Sequence, residues 1–287
     1  MKHDVVIIGG SLAGASCARE LTRQGIEAVA LERDVFPRAK VCGGFLSPNA
    51  VDCLERLDLL NEVRATDAVK IRSAQLHTDN VEREIQLRRT GLGISRSRLD
   101  DVVARAASVR HGITVRTVVQ TDEGFVLQTD RDEIRTPVLI DAAGKLSRLT
   151  KRAAVPEFGV QYLDAQPRGA VLNFWFFPDG YGDAVTIEGG QSNFCFLIRK
   201  EALRRYAAQP GRLWTGPLAY DRLPGSVIAI GDAAGMIDPF CGEGMHHAFD
   251  SAITAARVVA QGLKNGRTYA EMQQAYDLEW TDRKSVV

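Results

Sequence analysis

Three sets of residues in this 287-residue chain have types and spacings suited to chemistry on a phosphate-bearing cofactor. The first is Gly9, Ser11 and Gly14 in "IIGGSLAGASC", with Gly10 and Ala13 in the same turn and the acidic Glu32 further on, followed by Arg33. At these positions a turn must be tight, backbone must approach a pyrophosphate, and a helix must pack close on its strand; the later acid accepts from a ribose hydroxyl pair. Serine at the middle position is small enough for that approach, and its hydroxyl can donate to a phosphate. The second set is "GDAAGMIDPFCGEGM", residues 231–245, in which Asp232 after Gly231 can accept from a polyol hydroxyl. Ala233, Ala234 and Gly235 leave room for an extended chain, and Pro239, Gly242, Glu243, Gly244 and Met245 open a long apolar helix, expected to begin near Gly242. Its unpaired N–H groups would point at an electron-rich ligand atom. The third set is aromatic: Phe174, Trp175, Phe176, Phe177, Phe194 and Phe196.

The elements that must position these groups are legible. Val5 to Ile8 is a continuous apolar run suited to a buried parallel strand, and Leu12, Ala15, Ala18 and Leu21 mark one helical face. Gly25 is placed to end that helix, and "EAVALE" returns as a second parallel strand of a right-handed βαβ unit. An NAD site is self-contained near such a unit, whereas FAD carries a ribityl chain and a tricyclic ring that need contacts from elsewhere. Residues 227–245 supply them, with "SVIAI" (226–230) as a further strand and Met245, Ala248, Phe249, Ala252, Ala256, Val259 and Leu263 as the apolar helix face. The expected cofactor is therefore FAD.

Composition narrows the remaining classes. Lys plus Arg balance Asp plus Glu at 36 each and the charges are scattered, so no electrostatic footprint for nucleic acid is present. The partner expected is a small molecule. The chain enters its first strand without the apolar stretch of a signal peptide, and no run reaches the roughly 18 apolar residues of a membrane span. A soluble, cytoplasmic protein without an integral membrane segment is expected. Five cysteines, Cys17, Cys42, Cys53, Cys195 and Cys241, show no CxxC spacing and read as reduced thiols, with no disulfide framework or zinc site. His246 and His247 are adjacent on a helix and face about 100° apart, so they read as a surface pair and no metal site is expected.

The segments "GGSLAG" (9–14), "FPRAKVCGGFLSPNAVDCLERLDLL" (36–60), "ISRSRLDDVVARAA" (94–107), "VLIDAAGKLSR" (138–148), "FWFFPDGYG" (174–182) and "GDAAGMIDPFCGEGM" (231–245) together span nearly the whole chain. The set resembles the FAD-dependent oxidoreductases of the p-hydroxybenzoate hydroxylase fold, and is most similar to their geranylgeranyl reductase branch. The resemblance implies that Asp232 and the loop from Pro239 to Gly244 contact ribityl and isoalloxazine. It also implies that Arg38, Cys42, Gly43 and Gly44 lie beside the flavin, that Arg96 reaches the cofactor from a helix start, and that Gly144 belongs to the site. Three departures stand out. Gly235 stands where hydroxylases of this fold usually place a histidine, and Ala142-Ala143-Gly144 replaces their "ADG" segment. The reductases' "YxWxFP" pattern keeps Trp175, Phe177 and Pro178 but has Asn173 for the tyrosine. Segments usual after "FCFLIRKEALRRY" (194–206) and after the last helix are missing, so a shortened member with a more open pocket is expected.

Residues 70–87 and 156–198 alternate polar and apolar, as an antiparallel sheet does, and one apolar face laid over the flavin would make a cavity for a greasy substrate. Trp175 and Phe177 are the substrate candidates, and Cys42 is the catalytic candidate, either shaping the cavity or delivering a proton. The expected fold is α/β: a Rossmann-like FAD-binding domain in three segments, 1–69, 95–155 and 215–287, with an inserted β-sheet substrate lobe, 70–94 and 156–214. With no second dinucleotide fingerprint, NAD(P)H or another reductant would visit the flavin without a domain of its own. The activity expected is reduction of C=C bonds in an isoprenoid-like molecule. The alternatives are a monooxygenase acting on an aromatic or polyketide substrate, and a flavin-binding remnant without turnover. Oligomeric state, electron donor and substrate are not written in these motifs.

Overall fold

The computed structural model describes residues 3–78, 80–150, 155–218 and 227–284. Parts of the expectations at 151–154, 219–226 and 285–287, including Ser226 of the expected strand and part of the expected shortening, lie outside the described residues. The chain opens with β1 (Val5–Ile8), α1 (Leu12–Arg23) and β2 (Ala28–Glu32), then β3 (Phe45–Leu46), α2 (Pro48–Arg56) and α3 (Leu60–Arg64). A long hairpin follows, β4 (Val69–His77) and β5 (Glu82–Gly93), then α4 (Arg96–Arg105) and β6 (Val109–His111). Next come β7 (Val115–Thr121), β8 (Gly124–Thr129), β9 (Glu133–Thr136) and β10 (Val138–Asp141). The second half holds β11 (Glu157–Asp164), β12 (Val171–Phe177), β13 (Gly180–Thr186), β14 (Ser192–Arg199), α5 (Leu203–Ala207), β15 (Leu213–Thr215), β16 (Ile228–Ala229), α6 (Gly244–Lys264) and α7 (Tyr269–Lys284).

Five strands form a parallel sheet in the order β16-β10-β1-β2-β6. Successive side chains of a strand face opposite ways, and both faces here are covered. Val5, Ile7, Ala28, Ala30, Val138 and Ile140 pack under α1, α6 and α7, while Val6, Val29, Leu31 and Leu139 pack against Phe125, Leu127 and Ile134. That second cover is an antiparallel three-stranded sheet, β7-β8-β9, which the sequence motifs did not announce. Burial on both faces is why the strands read as unbroken apolar runs. Gly25 has φ +81° one residue past the Gln24 cap, the left-handed position that lets α1 stop and the chain turn into β2.

The remaining sheet has eight strands in the order β15-β11-β14-β13-β12-β4-β5-β3. It is antiparallel except where β12 runs parallel to β4, so the expected antiparallel lobe is a mixed sheet with one parallel junction. Its edge strand β3 comes from the segment after β2, and so stitches this sheet to the parallel one. Ile8 and Asp141, at the C-terminal ends of β1 and β10, and Ile230, just after β16, line cavities walled on their other side by Phe174, Asp183 and Thr215 of the eight-stranded sheet, so a trench lies between the two.

Candidate functional site

Two adjoining cavities, of about 480 and 240 Å³, occupy that trench and share Ser11, Lys40, Val41, Ala142, Gly144, Lys145 and Thr215. The larger runs along the end of the parallel sheet past Gly9, Glu32, Arg33, Asp34, Arg38 and Arg116. The smaller lies under the eight-stranded sheet, bounded by Ala13, Cys42, Gly43, Gly44, Arg96, Gly231, Asp232, Pro239, Gly242, Gly244 and Met245. One end is polar and cationic. The other is walled by Leu172, Phe174, Leu197, Leu218, Met236 and Ile237.

The turn between β1 and α1 is built as its glycines require. Gly9 has φ +99°, and a Cβ on Gly14 would fall 1.8 Å from the Gly9 carbonyl oxygen, so α1 can approach β1 only with glycine there. Glu32 is buried and its carboxylate accepts from the N–H of Gly10 at 2.8 Å and of Asp34 at 3.0 Å. It thereby fixes the fingerprint turn to the end of β2. Gly10 and Gly14 border neither cavity; they shape the turn that does.

Ser11 is held in a buried charge network. Arg96, on the first residue of α4, donates from Nη2 to Ser11 Oγ at 2.8 Å and to Asp100, and Ser11 Oγ donates to Asp100 Oδ2 at 3.0 Å. Removing one member of a buried pair leaves the other charge uncompensated, typically at about 3–5 kcal/mol. Lys40 and Lys145 add two ammonium groups to the shared wall, and Lys145 Nζ donates to Thr215 Oγ1. Burial lowers the pKa of Lys40, with Arg96 adding repulsion. Burial also takes Lys145 down to about 8, with Lys40 pushing the same way and Asp232 opposing. Such crowding of cations is unfavourable by itself and is relieved by a multiply charged anion.

The helix behind the loop starts at Gly244, two residues later than expected, because Gly242 takes a left-handed φ of +66° that ends a short 3₁₀ turn over Pro239–Cys241. Glu243 provides no side-chain cap for α6. Its carboxylate turns away from the cavity to accept from Ser47 Oγ at 2.8 Å and Asn49 Nδ2 at 3.2 Å, which corrects its expected place on the cofactor. The first-turn N–H groups of a 21-residue helix therefore face the cavity without a carboxylate over them. A Cβ on Gly244 or on Gly144 would meet nothing within 4 Å, so both glycines border open space.

The aromatic strand needs a correction of parity. Phe174 lines the cavity, whereas Trp175 and Phe177 lie on the reverse face of the sheet. Trp175 stacks on His77 at 4.9 Å and on Phe194 at 5.9 Å, and Phe177 packs with Phe196 and Tyr206. Alternation in a strand fixes only that neighbours part company; which of them faces inward was set by the register with β13 and β14. His247 is likewise not on the surface: it is buried with its ring edge-on to Trp280. No cluster with metal-ligand composition occurs among the described residues, and the five cysteines are free.

The segment carrying Cys42, Gly43 and Gly44 is clamped to the sheet. Asn193 Nδ2 donates to the carbonyls of Cys42 at 2.8 Å and Gly43 at 2.6 Å, and Gln161 Oε1 accepts from the Cys42 N–H at 3.2 Å. Above Gly43 stands Asp183, which sequence reasoning missed together with Lys40, Asp100, Lys145, Gln161 and Asn193. A charged residue at an inward position of an alternating strand was the available signal for Asp183.

The trench thus offers cations and a helix N-terminus for a pyrophosphate at one end, and glycine-bordered space under a second helix N-terminus at the other. A profile of the FAD binding domain matches residues 2–155, more than half of the chain. The chain belongs to this FAD-binding family. Its activity class is that of an FAD-dependent oxidoreductase. Digeranylgeranylglycerophospholipid reductase 2 of Methanothermobacter thermautotrophicus is 23% identical over 334 aligned positions, covering 98% of this chain and 83% of the relative. Because 334 exceeds the 287 residues here, the alignment contains gaps in this chain. Menaquinone reductase of Mycobacterium tuberculosis is 27% identical, over 96% of this chain and 77% of its own. Among solved structures, the myxobacterial halogenase CndH superposes with a TM-score of 0.82 at 18% identity, covering 96% of this chain and 78% of that one. PqsL of P. aeruginosa in complex with 2-aminobenzoylacetate gives 0.83 at 18%, covering 97% and 92%. These place the fold among flavoproteins. No helix among the described residues is long and apolar enough to cross a membrane.

Proposed function

We propose that this oxidoreductase reduces a C=C bond of an isoprenoid-like, apolar substrate. The observation that carries this reading is the pairing, within one trench, of a polar, cationic groove with a carbon-walled chamber beside it, lined by Leu172, Phe174, Leu197, Leu218, Met236 and Ile237. The reductases named above act on substrates of that character, which supports it.

In this reading Glu32 holds the adenosine ribose, and Ser11, Arg38 and Arg96 with Lys40 and Lys145 face the pyrophosphate. Asp232 takes a ribityl hydroxyl, and the free N–H groups of α6 with Gly244 and Met245 border the ring's electron-rich edge. Reduced FAD, when bound, supplies two electrons and a hydrogen to carbon. The chain orients the ring, excludes water with its apolar wall, and places Cys42 beside the substrate. NAD(P)H or another two-electron donor serves as a visiting reductant.

The test is anaerobic reduction of the yellow protein followed by addition of either a geranylgeranyl lipid or a prenylated quinone, or of oxygen. Reoxidation driven by the lipid or quinone, with a saturated product, is the expected result. A long-lived oxygen adduct formed without lipid would replace this reading with monooxygenation.

A further inference from the structure

Asp183 sits where a carboxylate is least at home. It lies on β13 in register with Phe174 of β12 and Cys195 of β14, so all three project from one face of the sheet into the smaller cavity. The same face carries Leu172 and Leu197. Opposite stands Gly43, where an added Cβ would be 2.5 Å from Asp183 Oδ2; only a residue without a side chain leaves the carboxyl its place. Because Asn193 and Gln161 tie the Cys42–Gly43 backbone to the sheet, this juxtaposition is fixed rather than incidental.

Among the described residues Asp183 makes no ion pair, although Arg96, Lys40 and Lys145 line the same cavity. The titratable groups beside it are Cys195 of β14 and Tyr181 of β13 on the same face, the latter donating its hydroxyl to Asp238 Oδ1 at 3.0 Å, and Cys42 of the clamped segment opposite. Burial holds the thiol of Cys195 well above its ordinary range, with Asp183 adding to it, so that group stays neutral. Burial likewise pushes the carboxyl of Asp183 up to about 7. A carboxyl kept from ionising by its surroundings and opening on a reaction chamber has the character of a general acid.

We propose that Asp183 is the proton donor of the reduction, delivering its Oδ proton to substrate carbon from the sheet side of the chamber. This rests on the reductase reading above. As the π bond of the substrate opens, one carbon takes a hydrogen with its electron pair from reduced FAD, and the other takes the proton as the Asp183 O–H bond breaks. Two C–H bonds form, the cofactor is left oxidised and is re-reduced by the external two-electron donor, and the Asp183 carboxylate recovers its proton from water at the cavity mouth. Cys42, beside Gly43, then shapes the chamber rather than supplying the proton.

The experiment uses the FAD-loaded protein. Infrared difference spectra of the parent between pH 6 and 8, with Asp183→Asn as reference, should show the carbonyl band of a protonated carboxyl that is lost as pH rises through about 7. Reoxidation of the reduced protein by a geranylgeranyl lipid or prenylated quinone should slow through the same interval, since the acid form is the active one. Asp183→Asn should lose about 10²- to 10⁴-fold in that step and lose the pH inflection, while Asp183→Glu keeps an inflection at reduced rate. FAD content and reduction potential should stay at parent values in both. Absence of the carboxyl band, or Asp183→Asn reoxidising at the parent rate with an unchanged pH profile, overturns the assignment alone. A parent inert toward every lipid and quinone overturns the reductase reading and this assignment with it.

Discussion

Gly14 faces the carbonyl oxygen of Gly9 so closely that a Cβ there would lie 1.8 Å away, against backbone that cannot give. The third glycine of the fingerprint is thus a packing requirement between α1 and β1 before it is a cofactor requirement. Gly14→Ala should force α1 off the sheet, at the roughly 1–3 kcal/mol typical of overpacking. The expected result is a lowered melting temperature without FAD and loss of bound flavin, read from the visible absorbance of the purified protein.

Gly244 offers the complementary case. Its Cβ would enter open space at the mouth of α6, so Gly244→Val should leave the stability of the FAD-free protein within about 0.5–1 kcal/mol of the parent, the cost of ordinary helix-propensity differences. FAD titration should nevertheless show weak or no binding. Equal FAD affinity in parent and variant would remove the ring from this position.

Glu32→Ala tests the hinge between fold and cofactor. The carboxylate already accepts from two backbone N–H groups, and hydrogen bonds to charged groups contribute about 1.5–3 kcal/mol. Both stability and FAD affinity should fall, the latter by about tenfold to a hundredfold, as measured by calorimetric titration. A fall in stability alone would confine Glu32 to holding the turn.

Lys145 gives a pH signature. Its folded pKa, about 8, lies below its ordinary value, so the folded state releases its proton first and stability rises as pH increases through the interval above 8. A bound pyrophosphate favours the charged form and reverses the shift. FAD binding near pH 8 should therefore take up protons, seen as a buffer-dependent binding enthalpy, and affinity should weaken toward pH 9. Lys145→Met should reduce the buffer dependence to the part that Lys40 supplies.

Asp183 carries the opposite sign. Its folded pKa is raised from 3.8 to about 7, so the folded state binds the extra proton and stability falls as pH rises from about 4 to 7. Every tenfold gain in proton affinity on folding corresponds to about 1.4 kcal/mol lost once the pH lies above the folded pKa. Asp183→Asn should accordingly melt higher than the parent at pH 8 and close to it at pH 4, by calorimetry on the FAD-free protein. A variant less stable at pH 8 would mean that the carboxylate has a partner.

Sequence by itself determined the βαβ unit and its cofactor class, because those depend on local rules. A continuous apolar run, a glycine where φ is positive, and an acid at a strand end each act within a few residues of one another. The same locality made the loop at 231–245 readable, and the resemblance put Cys42 and Arg96 beside it; Arg38, expected there too, instead lines the larger cavity, with its Nε paired to Asp34 at 2.8 Å. Only the tertiary structure decided which face of β12 meets the cavity, since the choice between Phe174 and Trp175 is a matter of register with β13 and β14. It also turned Glu243 toward Ser47 and Asn49, buried His247 under Trp280, and covered the parallel sheet with β7-β8-β9. Lys40, Lys145 and Asp183 became site residues only when long-range packing brought them, half-buried, to the cavity walls, because desolvation, and not spacing, is what shifts a charge.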